Sequence, residues 1–312
     1  PIVEARDQYG NVDTTYAVNV VASENDLGTL TGTTTQAPVL GVATFTDLVY
    51  TATIDHDTFE IEFDSGGFTQ VSSAGVDPNV VATQLVITQQ PAVSVSGVAL
   101  VTQPIVAARD AGNITDTDYV TNVVASENDA GTLTGTTTQT PLAGVATFTD
   151  LIYTATADVE VFQIDFTSTG ITGVTSIDVT CGVVATKLVF TTQPAGSVSG
   201  VALTTQPVVE ARNAADVLDT GYVTNVVASE DDLGTLTGTT TVAPVGGVAT
   251  FTDLVYTARA GGVTFQIDVT SVGITGATSN DVTSVVTIPP VGGGAPPAVV
   301  TVTETGSVDL TT

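Results

Sequence analysis

The octapeptide Gly-Val-Ala-Thr-Phe-Thr-Asp-Leu occurs three times, starting at Gly41, Gly144 and Gly247, a constant step of 103 residues. Pro1, Pro104 and Pro207 keep the same step, and so do Tyr50, Tyr153 and Tyr256. A period of this length exceeds one solenoid turn and equals one small domain. The chain of 312 residues is therefore read as a tandem array of one design, about three domains each with a modest core.

What that design is follows from the residues inside one period. Val, Thr, Ala and Gly carry the bulk of the chain, and aromatic residues make up only 5%. β-Branched side chains fit a pleated, half-buried surface, so the composition is all-β. The second repeat is complete and alternates clearly. Strands are expected over residues 83–88, 98–101 with 105–108 (broken near Pro104, an edge or a switch between sheets), 119–125, 132–138, 145–149, 152–156 with 162–166, and 174–184. Turn signals such as Asp110-Ala111-Gly112-Asn113 and Ser126-Glu127-Asn128-Asp129 separate them. About seven short strands with turns every 8–12 residues predict an immunoglobulin-like antiparallel β-sandwich. No stretch keeps a helical period, and no run of about 18 apolar residues predicts a membrane span.

Gly-Thr-Leu-Thr-Gly-Thr-Thr-Thr, then Gly-Val-Ala-Thr-Phe-Thr-Asp-Leu, then Tyr-Thr-Ala, resembles the tandem bacterial Ig-like (Big-type) repeats of large surface adhesins. Lys187-Leu188-Val189-Phe190-Thr191-Thr192-Gln193-Pro194 followed by Ser199-Gly200-Val201 carries the same likeness. It covers residues 1 to about 287. The resemblance implies a spacer of stacked sandwiches, holding an adhesive tip away from a cell or building a surface fibre. The chain departs from it in its scarcity of lysine and in a C-terminal segment that fits no repeat.

Register sets the expected domains: 1–81, 82–184 and 185–287, then a Pro/Gly linker at 288–297 and an extended tail strand at 298–312. The first domain starts inside its second strand and lacks counterparts of residues 83–103. The tail alternates like a strand and has no sandwich of its own; its residues 306–312 are similar to Ser199-Gly200-Val201-Ala202-Leu203-Thr204-Thr205. A sandwich short of an edge strand exposes unpaired backbone groups and an apolar groove, which an extended segment can fill. Hence the expectation that copies of the chain join head-to-tail: Val299, Val300, Val302, Val308 and Leu310 donate, and Ile2, Val3 and Ala5 line the accepting edge. Such a contact does not close and propagates into a filament. Two other readings stand beside it: a stalk or spacer of a large adhesin without self-assembly, and a glycan-binding module.

Five Lys and Arg stand against 33 Asp and Glu, a formal net charge of −28. That balance excludes nucleic-acid binding through a basic face and opposes anionic membranes. It suits ion-screened surroundings, and with one cysteine and no internal disulfide it points to an extracellular or cell-surface setting. Catalytic chemistry is not expected: His56 is the sole histidine and reads as a solvated loop residue, and Cys181 reads as a small buried hydrophobe. Arg6, Arg109 and Arg212 are expected in structural ion pairs, with Glu4 on the same strand face or with Asp47, Asp150 and Asp253. Calcium is the one cofactor considered, through clustered hard oxygens at Asp7, Asn11, Asp13, Glu24 and Asp26, although no EF-hand loop is present.

Overall fold

In the computed structural model, which describes residues 1–287, the protein is all-β, without a helix among the described residues. The donor residues Val299, Val300, Val302, Val308 and Leu310 lie outside the described residues. Contacts divide the chain into two compact units: 1–186 with 211–222, and 187–210 with 223 onward.

In the first unit the second repeat shows the design in full. Gln84–Gln89, Ile105–Arg109 and Val145–Thr147 form one antiparallel sheet with Ile105–Arg109 at its centre. Thr138–Gln139, Val123–Glu127, Ile164–Thr167 and Val174–Thr175 form a second, in that order. Two three-stranded pieces complete the sandwich. Val98–Ala99 pairs with Ile152–Thr154 and through it Thr132–Thr134; Ser94–Val95 runs parallel to Val179–Gly182, which also pairs with Glu160–Phe162. This is the tandem antiparallel β-sandwich expected from the alternation.

The break expected near Pro104 is the switch between sheets, one of its two expected forms, because a residue without an N–H cannot continue a ladder. Other expected strands are divided differently. Residues 174–184 are two strands, parted where the Ser176 hydroxyl accepts the Ile164 N–H (2.9 Å) and donates to the Ile177 carbonyl (2.9 Å). The strand expected from residue 119 begins only at Val123; Tyr119 sits before it, its hydroxyl on Ser168 Oγ at 2.6 Å.

The repeated motifs have a packing reason. Gly28, Gly131 and Gly234 lie against the rings of Tyr50, Tyr153 and Tyr256, where a Cβ would come within 2.2–2.4 Å of ring atoms. Gly32, Gly135 and Gly238 take φ of 95–96°, and a Cβ there would meet the backbone oxygen of Asp47, Asp150 or Asp253 at 2.1–2.2 Å. Each of those aspartates accepts the amide and hydroxyl of Thr33, Thr136 or Thr239. Tyr50 stacks on Phe59, Tyr153 on Phe162 and Tyr256 on Phe265, with centroids 3.5–3.7 Å apart, anchoring each core.

In the second unit one sheet runs Thr241–Val242, Val226–Glu230, Ile267–Ser271, Ile274–Thr278, Lys187–Thr192, residues 208–210, Val248–Thr250. Lys187–Thr192 joins two halves: it is parallel to Ile274–Thr278 through Lys187 and Thr275, and beside residues 208–210. Gln84–Gln89 plays the same part in the second repeat, bridging to Thr172 in parallel.

Candidate functional site at an open sheet edge

In the first repeat Ile2–Glu4 pairs only with Val42–Thr44. Its counterparts, Ile105–Arg109 and Val208–Arg212, each have a strand on both sides. The other edge of Ile2–Glu4 has no strand among the described residues. Burial responds. Val106, Ala107 and Ala108 are sealed, whereas their counterparts Val3 and Ala5 are half-buried and Glu4 is exposed. Ile2 itself is 67% exposed. In the second repeat Leu85 and Ile87 close this side of the core, and Ile171 and Val174 pack onto it. In the first, Phe68 and Val71 in the matching places are left about half exposed, at 49% and 51%.

The result is a groove of about 390 Å³ lined by Val3, Ala5, Val20, Phe63, Phe68 and Val71 among others. Tyr16 meets Phe68 edge-on at 4.8 Å along its wall. An apolar trough of this kind has the geometry that an extended peptide could enter, with backbone groups pairing along a strand edge and alternate side chains facing the core. The accepting residues named from the sequence, Ile2, Val3 and Ala5, all lie on this open strand or directly after it.

The residues considered for calcium are engaged within their own turns. Asp7 accepts the amides of Tyr9 (2.8 Å) and Asn11 (2.9 Å) and the side-chain amide of Asn11 (3.1 Å), bonds that hold its carboxyl below the usual range. Asp13 Oδ1 accepts the hydroxyl and amide of Thr15, which lower its pKa likewise. Asp26 accepts the Tyr50 hydroxyl at 3.3 Å, and Glu24 ends the Val20–Glu24 strand. The structure thus joins Asp7 to Asn11 but does not gather the five. Among the described residues no group of three or more His, Cys, Asp or Glu is placed to hold a metal ion.

Alternation missed the joint between successive repeats. Asp55, buried, receives the Val80 amide on Oδ1 (2.7 Å) and the Thr117 amide and hydroxyl on Oδ2 (2.8 Å each). Burial pushes its carboxyl up, but the Val80 and Thr117 bonds outweigh that and leave it below the ordinary value. One period on, Asp158 takes the Val183 amide and the Thr220 amide and hydroxyl in the same way. The counterpart in the third repeat is Gly261. The period itself pointed to this pair, since Asp55 and Asp158 keep the 103-residue step.

His56 lies in an exposed turn, as expected, but three carboxylates that the sequence did not point to surround it. Its Nε2 lies 2.8 Å from Asp118 Oδ2 and 3.7 Å from Asp55 Oδ2, its Nδ1 3.1 Å from Asp77, and its side chain is 37% exposed. The bonds to Asp118 and Asp77 raise its pKa. Arg6 pairs with Glu4, Nε to Oε2 2.8 Å; the alternative partner Asp47 is held by Thr33. Cys181 is fully buried as expected, opposite Ser94, at the place where the third repeat bonds Ser197 to Ser284.

These features define a class: tandem immunoglobulin-like sandwiches with stapled joints and, among the described residues, an open edge beside Ile2–Glu4. No protein-family model matches the sequence, and no curated protein matches it. Among solved structures the chain is similar to the Escherichia coli adhesin FdeC, at 14% identity and TM-score 0.41, over 92% of this chain and 91% of that one. It is also similar to extracellular domains 3–5 of Drosophila OTK, at 12% identity and TM-score 0.25, over 92% and 91%, and to Drosophila N-cadherin EC1-3, at 12% and 0.21, over 91% and 94%. The fold assignment rests on the strand order itself. No helix among the described residues is long and apolar enough to cross a membrane.

Proposed function

We propose that this chain is an extracellular structural protein, the subunit of a cell-surface filament in which the tail of one copy fills the open edge of the first repeat of the next. The observation that carries the reading is the groove beside Ile2–Glu4, which the other two repeats fill with Gln84–Gln89 and Lys187–Thr192. The partner is a second copy, because residues 298–312 read as a strand without a sandwich of its own. The role is mechanical rather than catalytic: ladders of backbone hydrogen bonds and the joint aspartates, Asp55 buried and Asp158 half-buried, resist separation. A charge of −28 suits a medium where salt screens it.

The stapled joints also favour the spacer reading, a stalk segment without self-assembly. Sedimentation and negative-stain microscopy of the full chain, against a chain lacking residues 298–312, separate the two. Pelletable fibres from the full chain and single particles from the shortened one are expected. Single particles from both leave only the spacer, and fibres from both remove the tail from the contact.

A further inference from the structure

The two filled grooves specify how an incoming strand must lie in the empty one. In the second repeat Leu85 stands opposite Ala108, Val86 opposite Ala107 and Ile87 opposite Val106. Ahead of them, the Ala82 amide donates to Asp116 Oδ2 (2.9 Å) and the Thr83 amide to the Arg109 carbonyl (2.8 Å). On the far edge the Leu85 amide donates to the Thr172 carbonyl, and the Thr172 amide to the Thr83 carbonyl. Around the third repeat's strand, the Ala185 amide repeats the bond to Asp219 Oδ2 (2.9 Å) and the Thr186 amide that to Arg212 (2.8 Å). Shifted back one period, the receptors are Asp13, Arg6 and Thr69. Asp13 Oδ2 and the Thr69 backbone have no partner among the described residues, and Asp13 is exposed where Asp116 and Asp219 are buried.

The groove therefore demands aliphatic side chains at two positions two apart, and a residue with a free N–H three places before the first. Val299 or Val300 in the first position puts Pro296 or Pro297 over Asp13, and proline has no N–H to give. Val302 there puts Glu304 into the second apolar position. Val308 satisfies both demands: Leu310 follows at the second apolar position, and Thr305 supplies the N–H. Val308-Asp309-Leu310-Thr311-Thr312 then overlays Leu188-Val189-Phe190-Thr191-Thr192 residue for residue.

We infer that the donated strand is residues 305–312 of a second copy, with Val308 over Ala5, Leu310 over Val3, and the Thr305 amide clasped by the Asp13 carboxylate. This inference rests on the strand-donation reading above. It narrows the donor to Val308 and Leu310 and leaves Val299, Val300 and Val302 as approach to the groove. Asp13, considered at first for calcium, becomes a peptide-binding residue. Asp309 falls opposite Glu4, a like-charged pair relieved by the ion pair that Glu4 already makes with Arg6.

Disulfide trapping in the full chain tests it, in a Cys181→Ser background. Glu4→Cys with Asp309→Cys is expected to give an oxidised ladder of multimers, and Glu4→Cys with Thr301→Cys, the partner if Val300 led, is not. A ladder from Thr301→Cys instead overturns the register and leaves donation standing. Ladders from neither pair in chains that still form fibres, or crosslinks confined to monomers, overturn donation as well. A second measurement does not depend on new cysteines. Val308→Asp with Leu310→Asp is expected to abolish pelleting, while Val300→Asp with Val302→Asp preserves it; the reverse result overturns the register. Asp13→Ala is expected to raise the critical concentration about 10- to 100-fold, the size of one lost hydrogen bond to a charged group. Asp13→Asn, which keeps an acceptor oxygen, is expected to recover most of it. An unchanged critical concentration in Asp13→Ala removes the clasp.

Discussion

At the scale of single residues, the repeated motif letters are mostly backbone requirements. Gly144 takes φ of 75°, and a Cβ there would sit 2.1 Å from the Asp116 backbone oxygen. Gly144→Ala is expected to destabilise the first unit by about 2 kcal/mol or more in a urea titration, since left-handed strain and overpacking add. His56 makes a pH-dependent joint with Asp118, Asp77 and Asp55. Its folded pKa is raised, so its stabilisation is fully present below the unfolded value of about 6.5 and is lost as pH rises through the folded one. The expected outcome is a lower melting temperature of the first unit at pH 9 than at pH 6. His56→Val, the residue found at the equivalent Val159, flattens that difference. Glycine spacing and the Asp55/Asp158 step were legible in the sequence. The ring of carboxylates around His56 was not, because Asp77 and Asp118 lie 21 and 62 residues away and only folding brings them together.

At the scale of strands, the segment that closes each sandwich carries the most. Gln84–Gln89 contributes Leu85, 3% exposed, to the core that the first repeat leaves open. Leu85→Ala is expected to cost about 2–5 kcal/mol by opening in the second repeat a hole like the first repeat's groove. Equilibrium unfolding followed by tyrosine fluorescence measures it, and a loss below about 1 kcal/mol would show that the closing strand adds little. Alternation located these strands but not their sheet membership. Pro104 and Ser176 stand where the chain changes sheet, and a change of sheet leaves the period of two intact on either side.

At the scale of the whole molecule, charge bears on the proposed assembly. Copies carrying −28 each repel, and the proposed contact places Asp309 against Glu4. Fibre formation is therefore expected to strengthen as ionic strength rises from about 10 mM to about 150 mM, where the Debye length shrinks to about 8 Å. Light scattering across that range reads it directly. Weaker assembly at the higher salt would mean that attraction between charges, rather than apolar insertion with backbone pairing, holds the copies together.

The sequence alone determined the repeat length and the all-β class, since these depend on local composition and on periods that survive any arrangement in space. It also marked Ile2, Val3 and Ala5 as counterparts of strands that have a neighbour on each side in the other two repeats. Only the tertiary structure decided that Asp55 and Asp158 are joint staples, that Asp13 bonds Thr15 through Oδ1 while its counterparts Asp116 and Asp219 also take an amide on Oδ2, and that Phe68 and Val71 line the groove. Those roles arise from residues far apart in the chain meeting across a core, and hydrogen-bond partners at such separations leave no period to read.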